Sequence, residues 1–202
     1  TGVGIAALDA ITTGDYNTAV GNLAGTAITT GESNTLVGPF AGFVLVGGSE
    51  NVAVGRSALA SEDGHGKNIA IGYSALNTLN AGDDGHNVAI GYNAGTAIST
   101  AVKNTLVGSF AGDALTTGVY NVAVGYEALS AEDGHGRNVA IGFRALKDQN
   151  AGVSGYNTAV GHKAGEDIST GVKNTIIGSD AGDALTTGDN NIIIGYDAAA
   201  SA

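Results

Sequence analysis

Asn51-Val52-Ala53-Val54-Gly55-Arg56-Ser57-Ala58 is followed, 17 residues later, by Asn68-Ile69-Ala70-Ile71-Gly72-Tyr73-Ser74-Ala75. Each octet is a short β-branched run closed by a glycine and a small residue, so it reads as one strand with a turn beyond it. The same frame spans the chain. An Asn opens units at Asn17, Asn34, Asn51, Asn68, Asn87, Asn104, Asn121, Asn138, Asn157, Asn174 and Asn191, in steps of 17 residues except for steps of 19 after Asn68 and Asn138. Gly holds the fifth place of every unit, from Gly21 to Gly195, and Ala the eighth, from Ala24 to Ala198. A self-similar period of this length is the signature of a repeat architecture and decides the fold class before any single residue does.

A longer period overlies the short one. Four units make a block of 70 residues, as Asn34-Thr35-Leu36-Val37-Gly38 and Asn104-Thr105-Leu106-Val107-Gly108 show. The blocks run 17–86, 87–156 and 157–202, within a single repetitive domain over 1–202. Residues 1–16 fit the same frame through Gly4 and Ala7, so the sequence enters in mid-unit without an atypical end unit, as expected of a slice of a longer fibre.

Seventeen residues are too few for a two-helix repeat, and a glycine in the fifth place of every unit disfavours helix. The expected fold is all-β: a parallel β-solenoid or β-roll of about twelve coils, stacked at about 4.8 Å and so roughly 50–60 Å long. Within each strand the second and fourth places share one face, read here as the coil interior, and the third faces the opposite way. That third place is apolar in every unit: Ala19, Leu36, Ala53, Ala70, Ala89, Leu106, Ala123, Ala140, Ala159, Ile176 and Ile193. A strand apolar on both faces is covered on both. Association of copies through the third-place row is therefore expected, and these residues are the candidate trimer interface once a trimer is invoked.

Composition narrows the function. There are 34 glycines, no Cys and no Met among 202 residues, which excludes disulfides, thiolate metal sites and thiol nucleophiles. The formal charge of −11 disfavours nucleic acid as a partner and favours solubility. No apolar run reaches the roughly 20 residues of a membrane-spanning helix, so no membrane insertion is expected of this segment.

The unit Asn68-Ile69-Ala70-Ile71-Gly72-Tyr73-Ser74-Ala75 resembles the head repeat of the YadA-like trimeric autotransporter adhesins. The resemblance implies a left-handed parallel β-roll, a homotrimer, and the small strand residue turned to the trimer axis. The units are longer than that family's, and the form Asn17-Thr18-Ala19-Val20-Gly21 with a later Thr-Thr-Gly looks more like repeats of phage tail fibres and related surface fibres.

Two acidic segments draw notice, Glu62-Asp63-Gly64-His65-Gly66 and Glu132-Asp133-Gly134-His135-Gly136, with Asp83-Asp84-Gly85-His86 near the first. Glu62, Asp63, His65, Glu132, Asp133 and His135 are candidate metal ligands, beside the plainer reading of solvated turns. Tyr73, Tyr92, Tyr126, Phe143 and Tyr196 each follow the fifth-place glycine of their unit, as a recognition face for a host carbohydrate or protein receptor or as stacked surface rows. No nucleophile and base converge and no phosphate loop is present, so neither catalysis nor a cofactor is expected.

The expected role is a structural and adhesive segment of a trimeric fibre on a virion or bacterial surface, outside the cell, most like a phage tail fibre. A bacterial trimeric adhesin head and, less so, an ice-binding solenoid are the alternatives. An ice-binding face needs a continuous Thr array, and Val52, Ile69 and Val88 interrupt the run between Thr35 and Thr105.

Overall fold

The computed structural model describes residues 1–199; residues 200–202, the end of the third block, lie outside the described part. Twelve short strands form one parallel sheet in chain order, and there is no helix among the described residues. They are β1 (Gly2–Val3), β2 (Thr18–Val20), β3 (Thr35–Val37), β4 (Val52–Val54), β5 (Ile69–Ile71), β6 (Val88–Ile90), β7 (Thr105–Val107), β8 (Val122–Val124), β9 (Val139–Ile141), β10 (Thr158–Val160), β11 (Thr175–Ile177) and β12 (Ile192–Ile194). The chain is thus a β-solenoid of about eleven turns. Like pairs with like at every step: Leu36 lies opposite Ala53, and Ala53 opposite Ala70. The two 19-residue coils keep this register, with Ala70 opposite Ala89 and Ala140 opposite Ala159, so their additional residues stay out of the sheet.

The face assignment reverses the sequence expectation. The third-place residues Ala19, Leu36, Ala53, Ala70, Ala89, Leu106, Ala123, Ala140, Ala159 and Ile176 are wholly buried within the single chain, and Ile193 nearly so. They line the coil interior and do not present themselves to a trimer axis. The physical reason lies in the Asn. Places one and three share a face by the two-residue period, and the Asn side chains point inward. The interior is narrow, and the bulk that fills it comes from the far side of the coil, through Ile28, Leu45, Leu59 and Leu76. Places two and four therefore face outward.

The Asn row joins the coils. Asn34 donates its backbone N–H to Asn17 Oδ1 at 3.0 Å, and its Nδ2 donates to Asn17 Oδ1 at 3.0 Å and to the Gly48 carbonyl at 2.8 Å. The backbone-to-side-chain bond repeats from coil to coil up to Asn191, including the long steps, where Asn87 and Asn157 donate to Asn68 and Asn138 at 3.1 Å. The residue before each Asn has positive φ, as at Lys103 (62°) and Tyr120 (61°), so the chain turns a corner there. The Asn side chain supplies an acceptor where the corner interrupts the backbone ladder, which meets the rule that buried polar groups are paired.

The longer period is written into the core. Where the third place is Leu36 or Leu106, the ninth is Gly42 or Gly112; where the third is Ala53 or Ala70, the ninth is Leu59 or Leu76; and where Ala19, Ala89 and Ala159 go with Gly25, Gly95 and Gly165, the space is taken by Leu36, Leu106 and Ile176 of the following coil. A Cβ on Gly112 would stand 2.7 Å from Leu115 Cδ1 and 2.9 Å from Leu106 Cδ2. The fifth-place glycines have a different cause: Gly142 has φ +136°, and a Cβ there would lie 2.1 Å from the Gly161 carbonyl oxygen of the next coil. Backbones of successive coils meet at that corner, and only a residue without a side chain permits the approach.

Candidate functional site

Three features stand out on this rod: the outward strand face, a row of rings beside it, and two buried acids. The outward face consists of the second and fourth places. Val20, Val37, Ile69, Ile90, Ile141 and Ile177 are 36–40% exposed there, an apolar strip running from β2 to β12. Thr18 and Thr35, Thr105, and Thr158 and Thr175 share the strip, in groups separated by Val and Ile. None of the described residues covers it fully.

The sixth place continues the outward alternation and carries the rings. Tyr73 and Tyr92 stack with centroids 5.1 Å apart, and Tyr126 and Phe143 do so at 5.5 Å. Phe110 bridges the two pairs edge-on, 5.3 Å from Tyr92 and 6.0 Å from Tyr126, and His162 extends the row from Phe143 at 5.1 Å. Sequence reading missed Phe110 and His162. His162 was findable, since it follows Gly161 as the tyrosines follow their glycines; Phe110 sits one place later and reaches the row through the corner at φ 60°. Tyr196 stands apart at the end of the described coils, 81% exposed. Arg144 lies over the Phe143 ring at 5.1 Å and donates from Nε to Glu127 at 2.7 Å. Between Tyr73 and His162 the ring faces thus lie mainly against one another or a guanidinium, and edges meet solvent.

Glu62 and Glu132 occupy the twelfth place, where Leu45, Leu79 and Leu115 fill the core of other coils, and both are fully buried. Glu62 accepts from the His65 N–H at 3.1 Å and from the Ala81 N–H at 3.3 Å. Glu132 accepts from the His135 N–H at 2.9 Å, while its Oε2 has no partner. Imidazole Nδ1 stands 3.5 Å from Oε1 in the first copy and 3.6 Å in the second. Burial pushes both carboxyls above the usual range, against the pull of the backbone N–H donors. One ligand atom each from Glu62, Asp63 and His65 falls within 4.8 Å of the others, as for Glu132, Asp133 and His135, so the candidate ligands are brought together in both copies. Glu62 thus ties its own turn, through the His65 N–H, to the next coil, through the Ala81 N–H. Asp84 instead pairs with Lys67 and accepts from the Gly66 N–H at 3.2 Å, and does not join His86 in such a group.

No helix is long and apolar enough to cross a membrane among the described residues. Comparison of the chain with protein-family models, with curated proteins and with solved structures gives no match.

Proposed function

We propose that this chain is a length of a homotrimeric attachment fibre, most like a phage tail fibre, displayed outside the cell and without catalytic activity. The solenoid is the scaffold and its outer surface meets the host. The observation that supports this reading is the uncovered apolar strip of the second and fourth places. At about 4.8 Å per coil and about 10 Å across three strand residues, it covers some 500 Å², near the upper end of what a lone soluble chain exposes. The ring row widens it further. Copies set around a common axis cover such strips at every coil level, since each strand repeats the one below it. The trimer, and a left-handed coil, follow the resemblance to YadA-like head repeats, with the strip in the role first given to the third-place row.

Light-scattering mass of the purified segment tests the assembly. A mass three times the 19.7 kDa of one chain is expected. A stable, well-folded monomer would overturn it.

A further inference from the structure

The corner before each Asn carries a second row, unrelated to the ring row. In seven successive coils it reads Lys67, His86, Lys103, Tyr120, Arg137, Tyr156, Lys173. All seven are exposed and all have φ between 48° and 64°, and none is glycine (Lys67 62°, His86 48°, Arg137 64°). One backbone conformation therefore presents every side chain on a common ridge. A cation falls on every second coil, with a ring between. Lys67, Lys103, Arg137 and Lys173 are half of the 8 Lys and Arg of the chain.

Rings lie beside two of the cations. Lys103 Nζ lies 5.5 Å from the Tyr120 centroid, and the Arg137 guanidinium lies 5.5 Å from both Tyr120 and Tyr156. Arg137 also donates to Ser154 Oγ at 3.0 Å. Among the described residues Lys103, Arg137 and Lys173 have no carboxylate within 4.0 Å, whereas Lys67, Arg144, Lys147 and Lys163 are paired with acids. No Asp or Glu lies within two residues in sequence of Lys103, Tyr120, Arg137, Tyr156 or Lys173. Acids flank the row at its ends: Asp84 pairs with Lys67, and Asp189 accepts from the Val172 N–H at 2.8 Å. In a chain of charge −11, three cations in line, Lys103, Arg137 and Lys173, left without an internal acid are a surface complementary to an external anion.

The spacing selects the anion. Two coils advance about 10 Å. That matches the advance of one disaccharide along an extended pyranose chain, so acidic groups on alternate sugars fall in step with Lys103, Arg137 and Lys173. A nucleic acid places an anion on every unit and meets the repulsion of the whole chain. We propose that this ridge binds a linear anionic polysaccharide carrying one acidic group per disaccharide, laid along the rod. This names the partner class for the attachment reading above and rests on that reading only for its setting. Each contact is weak, and affinity comes from several made in register.

The probe is a hyaluronan octasaccharide titrated onto the immobilised segment at low and at physiological salt. Saturable binding that weakens with salt is expected. The double variant Lys103→Gln, Arg137→Gln, whose side chains are exposed and leave the core untouched, loses about ten-fold or more, from two contacts of about 0.7 kcal/mol each. Lys147→Gln, off the ridge, binds as the parent does. The proposal is overturned by absence of binding in the parent, by equal binding in the double variant, or by equal binding of oligothymidylate. Light-scattering mass on the same samples separates the two readings: a monomer that binds the glycan removes the trimer alone, and a trimer that does not bind removes the ridge alone.

Discussion

Leu36 fills the space that a side chain on Gly42 would need: a Cβ built there would stand 2.9 Å from Leu36 Cδ2 and 3.1 Å from Cδ1. The two places trade volume across a narrow interior. Gly42→Ala is therefore expected to destabilise by about 2–4 kcal/mol, from overpacking and from a left-handed backbone at φ 58°. Leu36→Ala is expected to cost about 2–5 kcal/mol through a cavity. The double variant loses less than the sum, because each change relieves the other. Urea midpoints of the four proteins measure the coupling, and strict additivity would refute the trade.

Asn104 accepts from the Asn121 N–H at 2.8 Å and donates to the Gly118 carbonyl at 2.9 Å. Asn104→Ala strands both groups in the interior, at a cost of roughly 2–5 kcal/mol. Asn104→Asp keeps the acceptor but sets a carboxylate against the carbonyl. It is expected to protect the Asn121 amide from hydrogen exchange better than Ala does near the carboxyl's own pKa and to lose that advantage at neutral pH.

The buried acids make stability depend on pH in a direction opposite to that of an ordinary salt-bridged carboxylate. Burial raises the folded-state pKa of Glu62 and Glu132 above that of an exposed glutamate. The protonated form is favoured in the fold, so their contribution is complete below the unfolded pKa and is lost as pH rises through the raised value. The double variant Glu62→Gln, Glu132→Gln is expected to be more stable than the parent at neutral pH, with the gap closing in acid. Midpoints of thermal unfolding across that range measure it, and a gap that widens in acid would contradict the assignment.

Val107 and Val124 face outward on adjacent strands, while Ala123 is sealed inside. Glu at Val107 and Val124 is expected to leave the circular dichroism of the rod unchanged and to convert the assembly to monomers by mass. Ala123→Glu is expected to unfold the chain locally, with a protease-sensitive site near β8. Dispersal by the Ala123 change without loss of structure would restore the opposite face assignment.

Stacking of Tyr73 on Tyr92 at an interplanar angle of 11° couples their transitions. Tyr92→Ala is expected to remove the corresponding near-ultraviolet dichroism and about 0.5–1.5 kcal/mol beyond the area lost.

The coil period, the parallel sheet and the register were legible because a residue such as Gly72 or Ala75 recurs at one spacing whatever lies between, although about twelve coils were expected and about eleven turns form. Which face of the strand turns inward was not legible from size. Val52 and Val54 are bulkier than Ala53, and hydrophobicity alone favours burying them. Asn51 held the answer, since it shares Ala53's face and its side chain closes the corner. The ring row was half legible: Tyr73 and Tyr92 announce themselves by place, but Phe110 joins only because the corner swings its side chain across. The ridge from Lys67 to Lys173 escaped sequence reading because cations on alternate coils are about 35 residues apart along the chain and become neighbours only when coils are stacked at about 4.8 Å.

The long coils leave the sheet undisturbed because their additional residues bulge where a Cβ on Gly82 or Gly152 would touch nothing within 4 Å. That corner is a mounting point. Two such points, 70 residues apart, stand four coils or about 19 Å from each other along the axis. A rod built this way is a ruler with pegs: foreign peptides inserted at Gly82 and Gly152 would be held at a set separation without retuning the core, and further duplication of the block would lengthen the scale in equal divisions.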